Sequence, residues 1–314
     1  MTCRYAASLV AALFLASGAA LADVTLVHAG ELLAVPGKNP ASNMTIIIED
    51  DRITGVQEGF VEIEGARLID LSDKFVLPGL MDMHVHLQGQ LGPENDRDQL
   101  KMSDELMQMR SIHYAMNTLK AGFTTVRDVG SSSQEMYALR DAINNGWIDG
   151  PRIIAAGGVG ITGGHADISG VSPELMEIFT SPNVCDGPYD CRRAARNVIK
   201  YGADLVKITS TGGVMTERAT GTGQQMEMDE LREIVRAAER MGRKVASHAH
   251  HEDGIVAALE AGVASIEHGS YSGPRAIKLF KETGAYLVPT LRAGKTVATL
   301  AVEADFMVAA LTMP

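Results

Sequence analysis

The sequence predicts an α/β protein in which a small β domain precedes a parallel (β/α)8 barrel. Three observations point to this fold. Seven short strand patterns alternate with helical patterns, this alternation begins only at Pro78, and several of the strands end in histidine. Strands that alternate with helices are typical of a parallel sheet, and 314 residues are enough for a barrel with one satellite domain.

The first 22 residues are predicted to be a signal peptide that is not part of the fold. Arg4 precedes an apolar run over residues 6–15, and small residues stand at Ala20 and Ala22. This layout is typical of secretory signals with cleavage after Ala22, and the run is too short to span a membrane. We therefore expect a secreted or periplasmic mature protein that starts at Asp23.

Residues 23–77 are predicted to form a small β-sandwich-like domain. The segments VTLVHAGELLAV, MTIIIEDDRITGVQ and ARLIDLSDKFVLPG alternate apolar and polar residues between Gly, Asp and Asn. This is the pattern of short strands that bury one face and are separated by turns.

Residues 78–314 are predicted to form the barrel. The strand candidates are GLMDMHVHL, TTVRDVG, RIIAAGG, LVKITS, KVASHAH, ASIEHGS and AYLVPTL. Helical stretches separate them. In MDELREIVRAAERMGRK, Asp229 is the expected N-cap and Gly242 the expected stop. An apolar stripe at helical spacing consists of Leu231, Ile234, Val235, Ala238 and Met241. Only seven strands fit before Pro314, so we expect a C-terminally truncated barrel that lacks the eighth strand.

Composition narrows the classes of partner. Lys and Arg total 28 against 39 for Asp and Glu, which gives a formal net charge of −11. This charge disfavours binding to nucleic acid or to an anionic membrane surface. Two cysteines, Cys185 and Cys191, remain after cleavage. A local disulfide and two unpaired thiols are both open alternatives for them. A homo-oligomer is also left open.

Histidines stand where several predicted strands end. The active sites of such barrels lie at the carboxyl ends of the strands. Seven of the nine histidines are expected to face that mouth: His84, His86, His165, His248, His250, His251 and His268. Residues i and i+2 of a strand share a face, so His84 and His86 project side by side and can share a metal ion. For His28 and His113 we expect structural roles.

Lys207 lies inside the apolar strand LVKITS. Burying an unpaired ammonium group is costly, so this side chain must pair with a carboxylate or lose its charge. One route is reaction of the neutral amine with CO2 to form a carbamate. A carbamate presents two oxygens and can bridge two metal ions.

Five segments in order, PGLMDMHVHL, AGFTTVRDVG, ITGGHAD, GADLVKITSTGG and AGVASIEHG, resemble the amidohydrolase superfamily. The resemblance is closest to secreted imidazolonepropionase-like and Xaa-Pro dipeptidase-type enzymes, and it runs from about Val24 to the end of the chain. It implies a TIM-like barrel that holds two divalent metal ions, for which the ligand types favour zinc. The metal ligands implied by position are His84, His86, carbamylated Lys207, His248 and His268, with His250 as the alternative to His248.

The resemblance also implies an activity on a small-molecule or dipeptide substrate. It indicates hydrolysis of a C–N amide bond, in a Xaa-Pro-type dipeptide or an N-acyl amino acid, by a hydroxide that bridges the metals. His165 would polarise the carbonyl or hold the substrate. Arg218 and Arg292 are candidates to bind a substrate carboxylate, although solvated surface arginines are the simpler interpretation. An imidazolone-like cyclic amide is an alternative substrate.

The sequence departs from the family pattern at its end. The family's general base is an Asp on the eighth strand, and Asp128 on the second strand is not expected to replace it. A truncated, non-catalytic chain that binds metal is therefore an alternative function. A dinucleotide-binding oxidoreductase is disfavoured. Gly158, Gly160 and Gly163 match GxGxxG, but no helical pattern follows them.

Overall fold

The computed structural model describes residues 23–90, 98, 101–214 and 219–303. The predicted signal peptide and Arg218 lie outside these residues, and both stay predictions. Contacts within the chain define two compact units, Met1–Pro78 and Gly79–Pro314. In the described ranges, no helix is both long and apolar enough to cross a membrane.

The first unit contains a four-stranded sheet in the order β3-β2-β1-β4. Its strands are β1 (Val24–Leu32), β2 (Ala41–Glu49), β3 (Arg52–Glu58) and β4 (Arg67–Val76). Strands β1, β2 and β3 pair antiparallel, whereas β4 is parallel to β1. The buried apolar cluster of this unit consists of Val27, Ala29, Leu32 and Ile46.

The expected β-sandwich is not what the described residues form, because they make a single sheet layer. Strand β4 pairs with β1 along its length, from the partners Thr25 and Arg67 to Leu32 and Val76. Strand β4 thus pairs with the edge of β1 that β2 leaves open and lies in the same sheet. A sandwich needs two sheets packed face to face. His28 has the structural role expected for it, since its Nε2 lies 2.9 Å from the carbonyl oxygen of Val61.

The second unit is a nearly closed α/β barrel of parallel strands. Seven strands follow chain order around the sheet: β5 (Leu80–Val85), β6 (Phe123–Asp128), β7 (Arg152–Ile161), β9 (Leu205–Thr209), β10 (Lys244–His251), β11 (Ser265–Tyr271) and β12 (Tyr286–Val288). The short strand β8 (Val184–Cys185) pairs with β7 off this path. All seven strands that the sequence predicted are present. The sheet curls so far that a side chain of β5 bonds to one of β11.

The helices of this unit alternate with the strands. They are α1 (Asp104–Lys120), α2 (Ser133–Asn144), α3 (Pro173–Phe179), α4 (Gly187–Lys200), α5 (Met228–Arg240), α6 (Glu252–Ala261), α7 (Pro274–Thr283) and α8 (Leu291–Glu303). The main core combines side chains of the helices with one face of the strands. A smaller layer on the opposite face, inside the barrel, consists of Val129, Ala156, Leu205 and Ala246.

Helix α5 shows how well local patterns predicted the helices. The predicted stripe is buried at Leu231, Ile234, Val235 and Ala238, but its last residue, Met241, is wrong, because it lies at the C-cap and is 54% exposed. Gly242 follows the helix with a positive φ of 68°, as expected of a stop signal. The predicted N-cap, Asp229, is wrong. Glu227 occupies that position, because the side chain of Glu230 reaches back to accept the backbone N–H of Glu227 in a capping box.

A disulfide joins Cys185 of β8 to Cys191 of α4, six residues apart. We expect the double variant C185S/C191S to lose about 2 kcal/mol of unfolding free energy, because a short closed loop restricts the unfolded chain only modestly. Urea titrations of the oxidised wild type and the variant measure this difference. Reduction of the wild type should lower its midpoint to that of the variant. Equal midpoints for the oxidised wild type and the variant would contradict the prediction.

Candidate metal centre

Six histidines converge at the carboxyl ends of the barrel strands and are called here the histidine cluster: His84, His86, His165, His248, His250 and His268. Their neighbouring ring centroids lie between 4.4 Å and 5.3 Å apart. The seventh histidine that was expected here, His251, is 43% exposed and precedes helix α6. Its Nδ1 accepts a hydrogen bond from the backbone of Asp253, so it caps the helix and does not join the cluster.

His84 and His86 present nitrogen atoms to each other. Their Nε2 atoms are 3.3 Å apart, and Nδ1 of His84 lies 2.9 Å from Oε2 of Glu267. Burial lowers the pKa of His84, and it lowers that of His86 to about 3 with help from the charge of Lys207. An ionised carboxylate only accepts hydrogen bonds, so Nδ1 of His84 carries the proton and Nε2 offers a lone pair towards His86.

Glu267 is wholly buried and is held by three donors. Besides His84, the guanidinium of Arg127 donates to it at 2.6 Å and the hydroxyl of Ser265 donates at 2.7 Å. Burial acts to raise the pKa of Glu267. The hydrogen bond from His84 and the charges of Arg127 and Lys207 outweigh that effect and hold the pKa below its ordinary value. Glu267 therefore carries a charge that Arg127 neutralises inside the barrel.

Sequence reasoning assigned no role to Glu267 or Arg127. In a regular strand, Glu267 and its neighbour His268 would point to opposite faces, so a site at His268 gave no reason to include Glu267. One signal was present. Arg127 interrupts the apolar pattern TTVRDVG, and a guanidinium in a buried strand needs an anion nearby.

His248, His250 and His268 form the second group of the cluster. One ligand atom of each can be chosen so that all three lie within 4.8 Å of one another. Nε2 of His248 lies 3.3 Å from the carbonyl oxygen of Gly212, which leaves Nδ1 as its lone-pair atom. Nδ1 of His250 bonds to the hydroxyl of Ser270 at 2.8 Å. Both His248 and His250 therefore sit in the cluster, and the choice of His248 as ligand stays a prediction.

These three imidazoles are neutral at ordinary pH. Burial, with neighbouring positive groups, lowers the pKa of His248 well below its usual value, that of His250 to about 4 and that of His268 to about 2. A neutral imidazole has one ring nitrogen with a lone pair, which is the form that binds metal ions.

Lys207 is buried beside both groups. It is 8% exposed, and its Nζ donates to the carbonyl oxygen of Val129 at 3.4 Å. Burial lowers its pKa to about 8. The charge of Glu267 acts in the opposite direction, so the amine is mostly protonated at pH 7 with a minor neutral fraction, and the carbamate at Lys207 stays a prediction.

His165 lies in the loop after β7, at the edge of the cluster. Its ring centroid is 4.4 Å from that of His248, and its backbone N–H donates to the side chain of Gln225 at 2.8 Å. Two glycines make room for the rings. A Cβ atom at Gly213 would lie 2.4 Å from Cε1 of His165, and one at Gly130 would lie 2.0 Å from Cε1 of His86. A side chain at either position would displace an imidazole.

The remaining candidates do not contribute side chains to the cluster. Asp128 ends β6, but its carboxylate accepts hydrogen bonds from the backbone of Leu87 and from both the backbone and hydroxyl of Ser131. Burial raises its pKa despite these bonds. Arg292 is exposed in α8, as the simpler interpretation predicted. No helix follows Gly163 until α3 begins at Pro173, which removes the basis for a dinucleotide site.

The donor set fits divalent metal ions. Neutral imidazole nitrogens are preferred ligands of zinc and of related metals. Two groups of them meet at the carboxyl ends of the barrel strands: His84 and His86, and then His248, His250 and His268. A positive charge on Lys207 acts on the pKa of all five, so its amine lies near both groups.

Known proteins resemble this chain in sequence and in fold. The sequence profile of the Amidohydrolase family matches residues 75–309. Ochratoxinase from Aspergillus niger is 31% identical over 287 residues, which cover 86% of this chain and 59% of the ochratoxinase. The chain thus spans less than two thirds of the length of that relative.

Two solved structures resemble the chain closely. A Xaa-Pro dipeptidase with methionine bound in its active site superposes with a TM-score of 0.83 at 39% identity, over 89% of this chain and 70% of that one. A prolidase complexed with N-methylphosphonate-L-proline gives a TM-score of 0.79 at 31% identity, over 91% and 70% of the two chains. The five motifs at the strand ends, the profile match and these structures lead to one conclusion: the chain belongs to the amidohydrolase family.

Proposed function

We propose that this protein is a metal-dependent hydrolase that cleaves the C–N amide bond of a Xaa-Pro-type dipeptide or of an N-acyl amino acid. One observation carries the proposal. Two groups of neutral imidazoles meet at the carboxyl ends of the barrel strands, with a buried amine beside them. The similarity to a Xaa-Pro dipeptidase, a prolidase and an ochratoxinase supports the choice of substrate class.

The proposed centre holds two divalent metal ions, with zinc favoured by the ligands. We assign His84, His86, Lys207 as a carbamate, His248 and His268 to it. When bound, the metals lower the pKa of a water molecule and polarise the carbonyl of the substrate.

The residues of the chain orient the ligands and the substrate. Glu267 accepts a hydrogen bond from Nδ1 of His84, and the hydroxyl of Ser270 is hydrogen-bonded to Nδ1 of His250. These bonds preset the direction of each ring, so little reorganisation is needed when the reaction occurs. We assign His165 the role of polarising the carbonyl or holding the substrate, which its position beside His248 supports.

Metal removal tests the proposal. We expect chelation to reduce hydrolysis of Xaa-Pro dipeptides or N-acyl amino acids at least a hundredfold, since a metal ion supplies several kcal/mol of transition-state stabilisation and a hundredfold corresponds to about 2.7 kcal/mol. Added Zn²⁺ should restore the activity. H84A should lose metal and activity together. The matched control is H113A, because His113 lies on helix α1 and bonds only to Asn117 among the contacts described for its ring nitrogens.

The other outcomes separate the alternatives. Hydrolysis of an imidazolone but of no linear amide would identify a cyclic-amide hydrolase. Stoichiometric metal binding without hydrolysis of any Xaa-Pro dipeptide, N-acyl amino acid or imidazolone would identify a non-catalytic metal-binding chain. Hydrolysis that survives complete chelation would refute the metal-dependent mechanism.

We also propose a secreted or periplasmic location. The leader-like residues 1–22 and the disulfide between Cys185 and Cys191 support it, since disulfides persist in oxidising compartments. Sequencing the N-terminus of the protein from its natural source is expected to give Asp23. An intact Met1 on the natural protein would contradict cleavage.

A further inference from the structure

His268 of the histidine cluster contacts Thr290, and both residues have a left-handed backbone conformation. His268 has a φ of 72° and Thr290 a φ of 45°, and Nδ1 of His268 lies 2.7 Å from Oγ1 of Thr290. This region is unfavourable for any residue with a Cβ atom, and most of all for a β-branched one such as threonine. In the described part of the chain, the other such non-glycine residues are Asn43 and Asp50, whose types tolerate this conformation.

The conformation of His268 has a direct effect on the site. Neighbouring residues of a regular strand alternate between the two faces of the sheet. Here Glu267 and His268 both reach His84, the former at 2.9 Å between bonded atoms and the latter with ring centroids 4.8 Å apart. The left-handed residue breaks the alternation, so that two adjacent side chains of one strand both contact His84.

Thr290 is the second member of the strained pair. It follows strand β12, precedes helix α8 and comes from a different part of the chain than His268. Backbone strain persists only where the surrounding structure enforces it, and it concentrates at functional sites. The contact that accompanies the strain here is the hydrogen bond to His268.

We propose that Thr290 is a positioning residue whose hydroxyl oxygen accepts a hydrogen bond from Nδ1–H of His268 and thereby directs Nε2 of that ring, as its lone-pair atom, into the cluster. The role as a metal ligand that this orientation serves rests on the proposed function. The orientation itself is a property of the protein without metal.

Three substitutions at Thr290 separate the hydroxyl from the backbone strain. T290V keeps a β-branched side chain without the hydroxyl, and we expect metal affinity to fall about 10–100-fold, as is usual when a partner of a ligating histidine is removed. T290S keeps the hydroxyl and should bind metal as the wild type does. T290G loses the hydroxyl but accepts a positive φ. It should lose affinity like T290V, while the thermal midpoint of the metal-free protein stays the same or rises.

Chelator competition with Zn²⁺ measures the affinities, and T283V is the matched control. Thr283 bonds through its hydroxyl to the carbonyl of Leu279 within helix α7, so this variant removes a threonine hydroxyl away from the cluster. Its metal affinity should equal that of the wild type. A purely structural role for Thr290 predicts the opposite result, in which T290G lowers the thermal midpoint and all variants bind metal equally.

A second measurement works without metal. Nitrogen-15 NMR of the histidine side chains in the metal-free protein should show His268 protonated at Nδ1, and T290V should shift that proton towards Nε2. A wild-type ring that is protonated at Nε2 overturns the proposal. If the wild type shows the expected tautomer but binds no Zn²⁺, the proposed function fails while the positioning by Thr290 stands.

Discussion

Replacing Glu267 by Gln is expected to lower the free energy of unfolding by about 3 kcal/mol, because removing one partner of a buried ion pair leaves the other charge without compensation. Glu267 is 0% exposed, and its partner Arg127 is also largely buried. Glutamine has the same shape but only one accepting atom. If its amide oxygen faces Arg127, its NH₂ group meets the Nδ1 proton of His84.

The same substitution is therefore expected to weaken metal binding. To avoid two donors facing each other, His84 would move its proton to Nε2, which is the atom that faces His86 at 3.3 Å. Urea denaturation and chelator competition measure the two effects on one preparation. A metal affinity equal to that of the wild type would show that Glu267 does not set the tautomer of His84.

Two further variants make the test specific. E282Q removes one charge from the exposed pair of Lys278 and Glu282 on helix α7 and should change stability by less than about 0.5 kcal/mol. The double variant R127M/E267Q removes both buried charges. We expect it to lose less stability than the sum of the two single variants, because no unpaired charge is left behind.

Replacing Lys207 by Ala is expected to remove the bridge between the two proposed metal ions. Metal content should fall below that of the wild type. Hydrolysis should fall by more than roughly 10–100-fold, which is the usual loss when a residue that hydrogen-bonds to a metal ligand is removed. Elemental analysis and activity assays measure these losses. In the wild type, incubation with carbon-13 bicarbonate should give a carbamate signal that is absent from the variant.

Chemical rescue distinguishes a carbamate from a simple buried amine. K207A leaves a cavity at a position that is 8% exposed in the wild type. A short carboxylic acid, which supplies two oxygens, should restore part of the metal content and activity if the carbamate is the bridge. Rescue by a short alkylamine alone would support an uncarbamylated lysine. The matched control is K200A, which removes an exposed lysine at the end of helix α4 and should change neither quantity.

Local patterns were sufficient for the elements of the barrel. Each of the seven strands was visible as an apolar run between turn residues, and in α5 the predicted stripe is buried at Leu231, Ile234 and Val235. The spacing of apolar residues and the turn residues that end each element depend only on residues close in sequence. They can therefore be recognised without the tertiary structure. The N-cap of α5 was misplaced, because the choice between Asp229 and Glu227 depends on a side-chain bond rather than on a pattern.

The sequence by itself determined the family, the barrel and the histidines at the strand ends, since these follow from motifs and from the rule that barrel sites lie at the carboxyl ends of strands. Only the tertiary structure placed Glu267 beside His84 and Thr290 beside His268. Both contacts join residues that are separated in the chain. The contact of His268 with Thr290 also depends on the positive φ of His268, which the pattern of side chains does not predict. Such contacts decide which way each imidazole faces, because the hydrogen bond made by one ring nitrogen determines which nitrogen carries the proton and which offers the lone pair.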